Sequence, residues 1–153
     1  MANYLRVRFL NEGDRTGKLL ARAEADGFSG ESGAYFGVEE LESFAKALQE
    51  FPLPAHDRRR SIASGFGSKQ TPNELEQEHL GISVYPVDMK RGYVGVQVRM
   101  ATAVWPDMRP ESKKQATVEL LTTYEPLAKF SKDLVAVLRG SLNEASLEGE
   151  SRP

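Results

Sequence analysis

With 153 residues, 20 basic against 22 acidic side chains and a net charge of −2, the chain has the size of one domain and lacks the basic excess that general nucleic-acid affinity requires. Cysteine is absent, which excludes thiol nucleophiles, disulfide frameworks and thiolate metal sites, and fits a reducing compartment. No apolar run approaches the roughly 18 residues of a membrane span, and Arg6 and Arg8 interrupt the apolar N-terminal stretch, which makes it a poor signal peptide. The expectation is a cytoplasmic protein with neither membrane nor nucleic acid among its partners. A chain of this length buries roughly two thirds of its unfolded surface, so a core forms without a disulfide or a structural metal.

In chain order, Tyr4 to Leu10 alternates Leu5, Val7 and Phe9 with Arg6 and Arg8, the period of a strand with one dry face. Asn11–Asp14 is turn chemistry. A second strand covers Lys18 to Asp26, with Leu19, Ala21, Ala23 and Ala25 on one side. Glycines 27, 30 and 33 read as a loop or bulge before a short third strand, Ala34-Tyr35-Phe36. From Val38 to Phe51 the period changes: Leu41, Phe44, Ala45, Leu48 and Phe51 make one helical stripe, with Glu39, Glu40 and Glu42 near its start and Pro52 as its stop. Ser61 to Phe66 reads as a strand and 67–73 as an exposed loop. Glu78 to Asp88, Tyr93 to Val104 and Lys113 to Thr123 alternate again, which implies a three-stranded antiparallel meander, and Trp105–Glu111 is confined to a turn by Pro106 and Pro110. A second helix spans Pro126 to Arg139, ended by Gly140, and Asn143 to Leu147 is a short edge strand. These elements imply one α+β domain over 1–147, a mostly antiparallel sheet with two helices packed on one face, and a frayed polar tail over 148–153.

Motif by motif, little chemistry survives. Gly13-Asp14-Arg15-Thr16-Gly17-Lys18-Leu19 lacks the glycine spacing and the hydroxyl of a phosphate loop and reads as a hairpin turn. Gly65-Phe66-Gly67-Ser68-Lys69 lacks the third glycine of a dinucleotide site. Ser43-Phe44-Ala45-Lys46 matches a serine–lysine pattern whose companion motifs are missing. Glu76, Glu78 and His79 fall short of a zinc ligand set, and Arg58-Arg59-Arg60 reads as a solvated loop. No catalytic residue, metal site or cofactor is expected. The opposite, wetter side of the strands collects Tyr4, Arg6, Arg8, Arg22, Tyr85, Gln97, Arg99 and Glu119, side chains that either lace a solvated sheet, as in an Arg99–Glu119 pair, or meet a partner.

The run Gly27-Phe28-Ser29-Gly30, Tyr35-Phe36, Leu41, Phe44-Ala45, Leu48, Phe51-Pro52 and Val84-Tyr85-Pro86-Val87-Asp88 resembles small, uncharacterised bacterial proteins, some of them suspected immunity proteins that neutralise a cognate toxin. The resemblance covers about half the chain, rests on apolar and glycine positions, and brings no site residues with it. The leading expectation is a non-enzymatic protein-binding domain, of immunity type by that resemblance, contacting an unidentified partner protein through Arg6, Arg8, Tyr85 and Arg99. The runner-up is a small-ligand binder or enzyme with a site under the 53–77 loop, built on His56 and His79. A homo-oligomer formed through a sheet edge or face is a third reading.

Overall fold

The computed structural model describes residues 2–55, 60–67, 70–71 and 73–150. The chain forms β1 (Tyr4–Gly13), β2 (Thr16–Ala25), β3 (Phe28–Gly37), α1 (Val38–Ala47), β4 (Ser61–Gly67), β5 (Leu75–Asp88), β6 (Tyr93–Ala101), β7 (Gln115–Thr123), α2 (Tyr124–Leu138) and β8 (Ala145–Glu148). The α+β class, the antiparallel meanders and the two helices are those the periodicities imply. The strands, however, divide between two four-stranded antiparallel sheets, ordered β3-β2-β1-β8 and β4-β5-β6-β7.

Two tight hairpins build the first meander. Asp14 and Arg15 both take left-handed φ, 51° and 56°, between the paired Gly13 and Thr16, and Asp26 and Gly27 repeat the arrangement between Ala25 and Phe28. That is the backbone of a two-residue turn whose twist matches its strands. The stretch Gly13–Leu19 is therefore a hairpin, as its spacing implies. Of the glycines expected to break the chain before Ala34, Gly27 does lie in the turn, but Gly30 and Gly33 lie inside β3, which pairs with β2 along its whole length. Close approach explains them, since a Cβ on Gly30 would stand 2.9 Å from Ala116 Cβ and 3.0 Å from Met100 Cε.

That contact shows how the sheets meet. Gly30 lies on the ends of β6 and β7, Ser32 Oγ donates to His79 O of β5 at 2.6 Å, and Ser64 of β4 donates to Tyr35 O. β3 thus crosses all four strands of the second sheet. At the other edge, Gly149 N donates to Asn3 O at 2.8 Å and Glu150 N to Leu121 O at 2.6 Å, so the chain beyond β8 is tied to β7 through Glu150 rather than fraying from Glu148. Both edges of the first sheet are engaged, which keeps them from pairing with other chains.

Each helix packs against strands of both sheets. Leu41, Phe44, Ala45 and Leu48 of the first stripe and Leu127, Phe130, Leu134, Val137 and Leu138 of the second join one core with Leu5, Val7, Ile82, Val96, Val98 and Leu120. Buried Ser131 joins the helices by donating to Ala45 O and accepting from Gln49 Nε2 at 2.9 Å. Phe51 departs from the expected stripe. α1 reaches its C-cap at Leu48, so Phe51 lies beyond the helix, 76% exposed, with its ring edge-on to Tyr124 at 4.8 Å. Arg60 departs further: it is 1% exposed, and its Nε donates to Ala47 O at 3.0 Å while its guanidinium pairs with Glu50. It closes the C-terminal end of α1, where a cation complements the helix dipole and the orphan carbonyls. His56, Arg58 and Arg59 lie outside the described residues.

Candidate functional site

The four expected contact residues fall on two different surfaces. Arg6 and Arg8 stand on the outer face of the first sheet, Tyr85 and Arg99 on the outer face of the second. On the second sheet the side chains satisfy one another. Arg99 Nε donates to Glu78 Oε2 at 3.0 Å, and its Nη1 donates to Ser83 Oγ at 3.0 Å and Gln97 Oε1 at 2.7 Å. The guanidinium lies flat over its cross-strand partner Gly81, and the Tyr85 ring lies over its own partner Gly95, where a Cβ would meet the ring at 2.7 Å. The Tyr85 hydroxyl donates to Glu119, and burial, then that carboxylate, pushes its pKa well above the ordinary 10. Arg99 is thus paired with Glu78 rather than Glu119, and its donors are occupied. On the first sheet Arg6 and Arg8 stay exposed.

A groove that sequence reading did not single out lies where β3 crosses the second sheet. It encloses about 580 Å³ between Lys18 and Tyr35 on one lip and Phe66 and Trp105 on the other, with buried His79 on its floor. Register shifts between Ser64 and Gly65 and between Phe66 and Gly67 bend the end of β4, the usual way a strand re-aims a side chain. Phe66 then packs edge-on to His79 at 4.5 Å and against Trp105 at 4.7 Å. Trp105 belongs to the β6–β7 connection, which is pinned on both sides. Gln77 clasps the preceding residue, its Nε2 donating to Val104 O at 2.8 Å and its Oε1 accepting from Val104 N at 3.0 Å, and Met108 N donates to Trp105 O at 2.9 Å to close the turn beyond. The indole is held, yet 56% exposed, beside Tyr35 at 57% and Met108 at 38%.

His79, half of the expected ligand or catalytic pair, is buried at the base of this groove. Its Nε2 stands 3.1 Å from Gln77 Oε1, an oxygen whose identity is fixed by the Val104 N–H it accepts. The neutral ring therefore carries its proton on Nε2. Glu78, the adjacent residue, projects to the opposite face to meet Arg99, so the strand period separates the two would-be metal ligands. Among the described residues no group of three or more His, Asp or Glu side chains converges as a metal site.

Burial first, and the charge of Lys113 second, lower the His79 pKa from the ordinary 6.5. The stability this residue contributes is complete above its unfolded pKa, near 6.5, and is lost as the pH falls through the lower folded value. Urea melts between pH 7.5 and 5 are expected to show a declining midpoint that His79→Gln flattens. An equal decline in both proteins would assign the effect to other groups.

The signal for the groove was present only as residue types, an isolated tryptophan just before Pro106 and Pro110 and a Gly-Phe-Gly stretch. Nothing in their spacing places Trp105 beside Phe66. Among the described residues no helix is long and apolar enough to cross a membrane. No protein-family model, curated protein or solved structure matches this chain.

Proposed function

We propose that this protein works by binding another protein, without chemistry of its own, and that the Trp105 groove is the centre of the contact. The observation that carries this reading is a tryptophan whose backbone is clamped on both sides while more than half of its surface faces solvent. Interfaces draw most of their energy from such pre-organised aromatic anchors, in which Trp and Tyr are enriched. The flat face around Arg99 suits the role less well, because its cation is already spent on Glu78, Ser83 and Gln97. Neutralisation of a cognate toxin is the form of binding that the resemblance to immunity-type proteins suggests.

A small-ligand site is the second reading, and one observation favours it: the groove volume of about 580 Å³ falls in the range of ligand pockets. Against it, the polar groups at the groove floor are engaged with one another. Ser32 Oγ donates to His79 O, and Gln77 holds both His79 and Val104.

Trp105 is the sole tryptophan of the chain, so its fluorescence reports on the groove alone. Trp105→Ala is expected to change folding stability by no more than about 1 kcal/mol, as for other exposed truncations. It is expected to weaken the partner complex by about 2 kcal/mol or more, at least roughly thirtyfold in Kd. Affinity capture from lysate of the native cell, wild type against variant, followed by titration of the purified captured protein while Trp105 emission is recorded, measures both effects. A partner that binds the variant as tightly, or leaves the emission unmoved, places the contact elsewhere.

A further inference from the structure

The outer face of the first sheet carries cations that the fold leaves without acidic partners. In the β1–β2 register Arg6 stands directly opposite Arg22, and Arg8 opposite Leu20. Like charges opposed across a strand pair are destabilising, and here an aromatic ring contacts both. The Arg6 guanidinium carbon lies 4.1 Å from the centroid of the Tyr4 ring, and Arg22 Nε donates to the Tyr4 hydroxyl at 3.0 Å. Arg22 also reaches Glu31 at 3.4 Å, whereas Arg6 and Arg8 form no ion pair among the described residues. Glu24 and Glu148 flank Tyr4 in the next row of the sheet, outside ion-pair distance of either arginine.

Arg6 and Arg8 project from the same face two residues apart, a repeat of about 7 Å along a strand. An extended segment has the same repeat between its own alternate side chains. Past Arg8 the face becomes mixed, with Leu10 46% exposed and Tyr35 57% exposed between Lys18, whose Nζ lies 5.9 Å from the ring centroid, and Glu12, whose carboxylate accepts from the Tyr35 hydroxyl at 3.3 Å. Lys18 and Tyr35 are also the near lip of the Trp105 groove. One surface thus runs from two unpaired arginines to an aromatic cleft.

Resting on the protein-binding reading above, we infer that this face receives an extended acidic segment of the partner, with carboxylates at alternate positions seated on Arg6 and Arg8 and an apolar side chain beyond them at Tyr35 and the groove. The match is one of charge and repeat. The two guanidinium groups, that of Arg6 held over the Tyr4 ring, supply the donors that planar carboxylates take up in pairs.

A fluorescein-labelled random copolymer of glutamate and tyrosine is the probe, read by anisotropy so that the signal does not depend on Trp105. A lysine–tyrosine copolymer and polyuridylate are the comparisons. Wild type is expected to bind the acidic copolymer, to lose it as salt rises, and to ignore the basic one. Arg6→Gln with Arg8→Gln, both exposed and so compatible with folding, is expected to bind roughly tenfold more weakly, and Arg6→Glu with Arg8→Glu more weakly still. Failure of folded wild type to bind the acidic copolymer, undiminished binding by the glutamine variant, or tighter binding of polyuridylate would overturn the inference. Trp105→Ala in the same assay separates the two proposals. Loss with the arginine variants but not with Trp105→Ala leaves the arginine face standing and removes the groove, and the reverse pattern removes the arginine face alone.

Discussion

Val96→Asp is expected to leave the protein unfolded at neutral pH. Val96 is 1% exposed at the middle of β6, between Val84 of β5 and Leu120 of β7, and all three belong to the shared core. The substitution forfeits the roughly 1.5–3 kcal/mol of a buried valine and puts a carboxylate where no donor can reach it. Whether the group stays ionised without a partner or takes up a proton, the total exceeds about 4 kcal/mol, a large share of the roughly 5–15 kcal/mol that holds a natural domain together. Circular dichroism and urea denaturation measure it directly. A melting temperature near that of wild type would put Val96 on a wet face and invert the whole second sheet, since a one-residue shift exchanges the faces of every strand paired with it.

The second large effect is expected at Arg60, which composition alone assigns to a solvated basic loop. Arg60→Ala removes a fully buried side chain, leaves the Ala47 carbonyl with only the long 3.4 Å bond from Glu50 N, and takes a cation from beside Glu50. Losing the better of two donors to a buried acceptor costs toward the low end of about 1–3 kcal/mol, and the vacated volume adds to it. Because Glu50 is 45% exposed and can turn to water, the full penalty of a broken buried pair does not apply, and the expected total is about 3 kcal/mol. Arg60→Lys is expected to recover only part of it, because an ammonium cannot span the carbonyl and the carboxylate as the planar fork does. A change below about 0.5 kcal/mol for Arg60→Ala would show the side chain to be solvated after all.

The two variants differ in how far their sites could be read ahead of the structure. Val96 stands in an uninterrupted alternation, and a strand with period two must bury one of its faces. Arg60 is the last of three arginines followed by serine, a pattern whose ordinary meaning is water. Its burial follows from where β4 begins relative to the end of α1, which no local pattern encodes. The same distinction runs through the candidate sites. Arg6 and Arg8 were recognisable as outward-facing because Leu5, Val7 and the alanines of β2 are inward-facing. That Arg6 meets Arg22 over the Tyr4 ring depends on hairpin register. That Trp105 meets Phe66 depends on a bulge in β4 and a clamp from Gln77, residues nearly thirty and forty positions away in the chain.

The α+β class, the two helical stripes, the hairpin at Asp14–Arg15 and the dry side of each long strand were legible in the residues alone, because all of these follow from periodicity and backbone preference within about ten residues. Only the tertiary structure decided that the strands form two sheets, that the glycines of β3 serve close packing, that Arg60 is interior and Arg99 already paired, and that an aromatic groove opens beside the unpaired arginines. The reason is physical: alternation states that a strand has a dry face but not which strand or sheet will cover it, and that choice is made by packing between residues far apart in the chain.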